Sequence, residues 1–238
     1  MVDAGNSRLK WGVWDGEDWV TLGSASYDNL ALFTRLLETE MPVWVASVTR
    51  PEYESRVRAA LEAAALPTRW VKAEKSSGTL MNGYDDPARL GVDRWMAMLA
   101  AWGRVRGAAL VVSAGTAMTL DALDPDGQFI GGLVLPGWSM MRTSLASGTA
   151  AITLAAGQVQ GFPTNTPDAV ESGVMVALCG AIERQYRALR DKVGAAPACL
   201  ITGGDAARIV PHLLITSTSV PALVLEGLVC ISDREGIR

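Results

Sequence analysis

The chain has 238 residues, 49% hydrophobic and 19% charged, enough for one large domain or two of roughly 100–130 residues, each with a core of its own. Its net charge of −4 comes with no run of basic residues, which excludes a phosphate-tracking stripe and leaves nucleic acid an unexpected partner. Three scattered cysteines, Cys179, Cys199 and Cys230, and one histidine, His212, exclude a Cys/His zinc cluster and suit a reducing compartment.

Residues 8–14 alternate in the manner of a half-buried strand and meet the turn pair Asp15-Gly16, after which 19–22 resumes as a second strand. Leu30, Phe33, Leu36 and Leu37 have helical spacing, and 43–48 is a short strand. A helix opens at Arg50-Pro51 and is ended by Pro67; a short strand follows at Trp70-Val71. Residues 73–90 crowd Ser, Gly, Asn, Asp and Pro with little periodicity, and a loop of that length is more often functional than decorative. A helix over about 92–104 carries Trp95, Met98, Leu99 and Trp102 on one stripe. The second half restarts with a buried strand at 109–112, a glycine turn, strands at 117–123 and 129–135, and a helix after Pro136. Residues 147–165 read as loop, 167–192 as a long helix, 199–202 as a strand ending at Gly203-Gly204, and the chain closes with a helix from about Ala222. The N-terminus carries no apolar leader, and no apolar run reaches the roughly 18 residues of a membrane span. The expectation is a cytoplasmic protein without a membrane segment.

The two runs of elements begin alike, which points to a duplicated α/β protein with lobes at 1–105 and 106–238. At an offset of 110, Val2-Asp3-Ala4-Gly5-Asn6-Ser7 falls on Val112-Ser113-Ala114-Gly115-Thr116-Ala117. Each is followed by an alternating strand and an Asp-Gly turn, Asp15-Gly16 and Asp126-Gly127. A strand–glycine–strand turn exposes consecutive backbone N–H groups that bind anionic oxygens, with the hydroxyls of Ser7 and Thr116 as further donors. Asp3 is suited to Mg²⁺ and Lys10 to the same phosphates. Taken singly each turn is an ordinary hairpin; their repetition, with Asp3 and Lys10, favours a polyphosphate site. Neither G-x-x-x-x-G-K-[ST] nor G-x-G-x-x-G occurs, so P-loop and Rossmann readings fail.

This organisation resembles the actin–hexokinase–Hsp70 superfamily, whose third nucleotide element is a glycine pair near the adenosine; Thr202-Gly203-Gly204-Asp205 has that form and position. Gly91-Val92-Asp93-Arg94, preceded by Asn82-Gly83-Tyr84 and Pro87, is similar to the acceptor signature of the type III pantothenate kinases. Pro136-Gly137, Asn165-Thr166-Pro167-Asp168 and Leu225-Glu226-Gly227-Leu228 agree with the same family. The resemblance implies two ribonuclease-H-like lobes of the actin-like ATPase type, each a mixed five-stranded sheet flanked by helices. It implies ATP-dependent phosphorylation of pantothenate, the first step of coenzyme A biosynthesis, in a cytoplasmic homodimer that uses Mg²⁺ and a monovalent cation (K⁺ or NH₄⁺). Asp93 is then the general base. Tyr84, Gly91, Val92, Arg94 and Thr166 complete the pantothenate site, built at the dimer interface. Asp3, Ala4, Gly5, Asn6, Ser7, Arg8, Leu9 and Lys10 bind ATP together with Gly115, Thr116, Gly203 and Gly204. On position alone, Asp93 also reads as a helix cap and Thr166 as an N-cap before Pro167.

Two departures from the family pattern stand out. Ser113 occupies the position of an aspartate that ligates the monovalent cation, and Met1-Val2 is a short lead into the first strand, which is expected to leave that strand clipped and its neighbours less paired. Together they motivate an alternative: a catalytically impaired nucleotide-binding regulatory protein of the same fold.

Overall fold

The computed structural model describes residues 1–37, 41–149 and 152–236. Contacts divide the chain into a unit formed by Met1–Arg104 with the segment from Ala222 onward, and a unit formed by Val105–Pro221.

In the first unit β1 (Val2–Ala4), β2 (Leu9–Trp14) and β3 (Trp19–Ala25) form an antiparallel meander. α1 (Ala31–Leu36) leads to β4 (Val43–Ser47), and α2 (Pro51–Ala63) to β5 (Thr68–Trp70). β4 and β5 run parallel to β1, and the sheet order is β3-β2-β1-β4-β5. The core is built from Val2, Ala4, Leu9, Trp11, Phe33, Val45, Val57 and Leu61, the inward residues of the strands and the apolar stripe of α2. β1 pairs over three residues, whereas β2 continues to Trp14. Beside Met1 and Val2 lies a cavity of about 500 Å³ edged by Trp11, Trp14, Phe33 and Trp44, and the buried Trp14 Nε1 has no hydrogen-bond partner among the described residues.

The segment expected to be structureless, 73–90, has order of its own. β6 (Ser76–Ser77) and β7 (Leu80–Met81) form a small hairpin turning at Gly78 (φ +61°), and a 3₁₀ turn covers Pro87–Arg89. Strands of two residues leave no period to read, which is why the sequence shows only polarity there. The hairpin is anchored from outside: Trp102 Nε1 donates to Thr79 Oγ1 at 2.9 Å, and Arg234 donates to Ser77 Oγ. α3 (Val92–Val105) follows, buried almost throughout from Val92 to Trp102.

The second unit repeats the first: β8 (Ala109–Ala114), β9 (Ala117–Leu123) and β10 (Phe129–Pro136) form the meander. α4 (Trp138–Gly148) and α5 (Thr166–Val193) lead to β11 (Ala198–Thr202), and α6 (Ala206–Ile209) with a 3₁₀ turn at Val210–His212 to β12 (Thr218–Ser219). The order β10-β9-β8-β11-β12 is that of the first sheet. The two-residue polar β12 is illegible in sequence; parallel pairing to Leu200 and Ile201 defines it. α5 is stopped by Gly194, left-handed at φ +75°, and buries Val174, Met175, Leu178, Cys179 and Ile182 against the sheet. Burial pushes the Cys179 and Cys199 thiols up to about 11 and about 12, the condition of inert core cysteines.

α7 (Leu223–Arg234) belongs to the first unit, packing against β1, β2 and β4, whereas the sequence order put it in a lobe at 106–238. Gly227 explains the attachment: a Cβ there would lie 2.1 Å from the Met96 carbonyl oxygen, so the backbones of α7 and α3 touch. Arg104 clamps Glu226 with two bonds of 2.7 and 2.8 Å.

Candidate active site

Asp3 lies mid-β1, in register with Lys10 on β2 and Ala46 on β4, and only 7% of its surface is exposed. Burial raises its carboxyl pKa to about 7; Lys10 opposes that shift and the charge of Asp93 adds to it. Ala4 and Leu9, fully buried in the core, have only backbone to offer to a ligand. Asn6, Ser7 and Arg8 are exposed at the turn, with Arg8 donating to Ser24 Oγ at 3.1 Å. A residue that sequence reading missed supports this turn from below. Tyr27 Oη donates to the Gly5 carbonyl at 2.6 Å and its ring stacks on Tyr53, centroids 4.4 Å apart. Nothing local marks Tyr27, because it reaches the turn from 22 residues away.

Asp93 occupies the first turn of α3. Its Oδ1 accepts from the Arg94 N–H at 2.8 Å, and Gly91 makes room for it: a Cβ on Gly91 would sit 2.7 Å from that oxygen. Burial raises the Asp93 pKa, partly offset by the Arg94 N–H and guanidinium. Val92 is buried and contributes shape alone. Arg94, itself buried, donates to Tyr84 Oη at 2.7 Å and lies 5.5 Å from that ring's centroid. The structure thus brings Gly91, Asp93, Arg94 and Tyr84 together. Asn82 holds Tyr84 in place. Its Oδ1 accepts from the Tyr84 N–H at 3.1 Å, and its Nδ2 donates to the Glu74 and Pro87 carbonyls at 3.0 and 3.3 Å. In the sequence Asn82 is one of the polar residues of an aperiodic segment, with nothing to mark it as a buried amide bridging both ends of the loop.

In the second unit Ser113 stands where Asp3 stands in the first, in register with Thr119 on β9 and Thr202 on β11. Cross-strand partners share a face, so three hydroxyls meet there, and the carboxylate of that face is Asp121, 1% exposed, which accepts from Thr119 Oγ1 at 3.4 Å. The turn at Gly115 and Thr116 is one residue shorter than its counterpart: Ala114 pairs with Met118, while Ala4 pairs with Leu9. Gly137 and Gly203 flank it. A Cβ on Gly137 would lie 2.0 Å from the Gly115 carbonyl oxygen, and one on Gly203, at φ +100°, 2.2 Å from that of Ala114. The Gly137 N–H donates to Thr116 O at 2.9 Å and the Asp205 N–H to Ala114 O at 3.1 Å. Gly115, Thr116, Gly203 and Gly204 therefore form one assembly, with Gly137 as a member that the sequence displayed in Pro136-Gly137 but did not assign.

Thr166 is the first residue of α5. Asn165 is the N-cap, accepting from the Asp168 N–H at 3.0 Å, which corrects the reading of Thr166 as the cap. Thr166 lines an open groove of about 740 Å³ with Met141, Leu145, Ile152, Val170 and Val174.

Two five-stranded sheets of one topology, each with a glycine turn after its leading strand, define the actin-like ATPase fold that many small-molecule kinases share. A Sinorhizobium meliloti protein described as a candidate 2-dehydro-3-deoxygalactonokinase has a similar structure (TM-score 0.58, 13% identity, 98% of each chain covered). So has a Campylobacter jejuni protein described as a candidate Baf family transcriptional activator (TM-score 0.62, 19% identity, 99% of this chain and 98% of that one). At such identities the likeness concerns the fold alone. The sequence is more specific: the profile of the type III pantothenate kinases matches residues 1–188. The type III pantothenate kinase of Thiobacillus denitrificans (strain ATCC 25259 / T1) is 46% identical over 236 residues, 99% of this chain and 97% of that one. The chain belongs to the type III pantothenate kinase family, and its reaction is the ATP-dependent phosphorylation of pantothenate in coenzyme A biosynthesis.

Proposed function

We propose that Asp93 is the general base that accepts the proton of the pantothenate hydroxyl as the γ-phosphoryl group of ATP is transferred to it. The observation that carries this reading is the seat of Asp93. Its carboxylate is at a helix start, oriented by the Arg94 N–H and the space at Gly91, and its charge is felt by Asp3. Phosphoryl transfer needs alignment and charge neutralisation above all, so one oriented carboxylate beside the attacking hydroxyl suffices. A pKa raised by burial makes Asp93 a better proton acceptor than a solvent-exposed carboxylate.

Arg94 and Tyr84 are proposed to receive the pantothenate carboxylate, a role suited to a buried guanidinium already oriented by a phenol. The turns at Asp3–Lys10 and Gly115–Thr116 are proposed to take the ATP phosphates, and Gly203-Gly204 the adenosine side. Asp3 fits a hard divalent cation, being a buried carboxylate next to the phosphate turn that burial leaves partly protonated without one. Mg²⁺ supplied there neutralises phosphate charge. The monovalent cation fits less well: Ser113, Thr119 and Thr202 offer neutral hydroxyls, and Asp121 lies two residues along β9. We therefore propose a weak potassium dependence. The apolar groove beside Thr166 is proposed to be covered by a second copy of the chain, giving a cytoplasmic homodimer in which Thr166 completes the pantothenate site.

The test is Asp93→Asn, assayed for ATP binding by calorimetry and for phosphopantothenate formation. Binding is expected to survive and turnover to fall roughly 10²–10⁴-fold; retained turnover would remove Asp93 as the base.

A further inference from the structure

A cluster on the flank of the second glycine turn has no part in the assignments above. Trp138, the residue after Gly137, has two guanidinium groups over its ring: Arg208 at 3.8 Å from the centroid and Arg142 at 4.5 Å. Its Nε1 donates to Glu171 Oε1 at 2.7 Å. Glu171 is 5% exposed and also faces Arg142 at 3.4 Å and Arg208 at 3.9 Å. Arg142 reaches onward to the Leu154 and Ala155 carbonyls at 3.2 and 2.7 Å, and Arg208 lies 3.9 Å from Asp205.

Burying a carboxylate among cations costs desolvation that well-packed apolar residues avoid, so such a cluster is poor evidence for stability and better evidence for fixed geometry. Its attachment points show which geometry. Trp138 extends from Gly137, whose backbone rests on Gly115 and Thr116; Arg208 extends from the short helix after Gly203-Asp205, whose backbone rests on Ala114. The two arms thus grip the β8 turn from opposite flanks, and they meet where the Arg208 guanidinium lies on the Trp138 indole. Without that stack, the glycine pair and the roof of the turn keep separate backbone contacts but lose the tie that fixes their spacing.

We infer that Arg208, through its stack on Trp138 and the Glu171 anchor beneath it, is a positioning residue that holds Gly203-Gly204 at a fixed distance from the Gly115–Thr116 turn, and thereby sets affinity for the nucleotide. The inference rests on those turns forming the nucleotide site, as proposed above. It names Arg208 as acting through backbone it supports, not as a contact to ATP.

The experiment compares wild type, Arg208→Met and Arg208→Lys in steady-state kinetics with both substrates varied, and in calorimetric titration with ATP and Mg²⁺. Arg208→Met keeps the stem and removes the stacking plane, and a side chain 45% exposed is dispensable for folding; Arg208→Lys keeps the charge without the plane. Expected are a roughly tenfold rise in KM and Kd for ATP in both variants, with kcat and the KM for pantothenate within about twofold of wild type. Unchanged ATP affinity would overturn the inference. So would full recovery in Arg208→Lys, which would make Arg208 a point charge, or a uniform loss in kcat and both KM values with a lowered Tm, which would make the cluster merely structural. A wild type that binds ATP but does not phosphorylate pantothenate would defeat the parent reading instead, and the ATP titrations would still decide this one.

Discussion

The two glycine turns share a topology and differ in charge. Both follow the strand at the centre of a sheet with the same order, and Asp3 and Ser113 occupy equivalent registers. Yet Asp3 faces Lys10 while Ser113 faces Thr119 and Thr202, and the second turn is a residue shorter. The first turn pairs a buried carboxylate with a cation, within electrostatic reach of Asp93. The second is neutral at the same place and is instead walled by glycines whose missing Cβ atoms let three backbone segments touch. Duplication preserves the hydrogen-bonded frame, because the frame is what folds; side chains at the turn are free to divide labour. In this chain the proposed charge chemistry belongs to the first unit, and the second is proposed to provide backbone donors.

Substitutions can break or sharpen that contrast. The largest effect is expected at Asp3. Asp3→Asn is predicted to lower kcat/KM by about 10²-fold or more, as loss of a charge that acts on the transferring phosphoryl group does. It is also predicted to raise thermal stability at pH 8. A carboxyl whose folded pKa is lifted to about 7 favours the folded state while protonated, and that contribution is lost as pH rises through 7. The gain in Tm should therefore shrink as pH falls below 7 and vanish at about pH 2.5, below the ordinary carboxyl pKa, where Asp3 is protonated in folded and unfolded chains alike. Melting curves at the two pH values check this; an equal shift at both would mean that the buried charge is not the cause.

Gly91→Ala comes next. Its Cβ would collide with Asp93 Oδ1 and displace the proposed base, so turnover should fall roughly tenfold to a hundredfold with ATP binding intact. Tyr84→Phe removes the hydroxyl that orients Arg94; a rise of roughly five- to tenfold in KM for pantothenate, with kcat little changed, is the expected result. The smallest effect belongs to the second turn. Wild type should respond to potassium by no more than about twofold, and Ser113→Asp, by restoring an anionic ligand, should widen the ratio of rates with and without potassium several-fold. A wild type silent without potassium would place a working cation site in the second unit and erase the contrast.

Much of this was readable from residues alone because repetition and period carry it. The offset of 110, the alternation in 8–14 and 117–123, and the Gly91–Arg94 run are local patterns, and β2, β9 and α3 follow them closely. What escaped was set by distance. The hairpin over 76–81 and β12 are too short for a period: β12 exists through pairing with β11, and the hairpin, whose strands pair with each other, is anchored by Trp102 and Arg234 from far along the chain. α7 follows the second unit in sequence yet binds the first, since Gly227 and Glu226 find their partners in α3. Thr166 yielded its capping role to Asn165 one residue earlier, an ambiguity that backbone geometry alone resolves. Tyr27, Asn82 and Gly137 act on backbone groups far along the chain or across a loop, and their residue types announce nothing of the kind.

The claim that the first unit's charges perform pantothenate phosphorylation is tested most directly by measuring ADP and phosphopantothenate formation from Mg-ATP and pantothenate, with and without potassium, in wild-type protein. Pantothenate-dependent turnover in both conditions is the predicted result. Tight ATP binding with no turnover in either would contradict it.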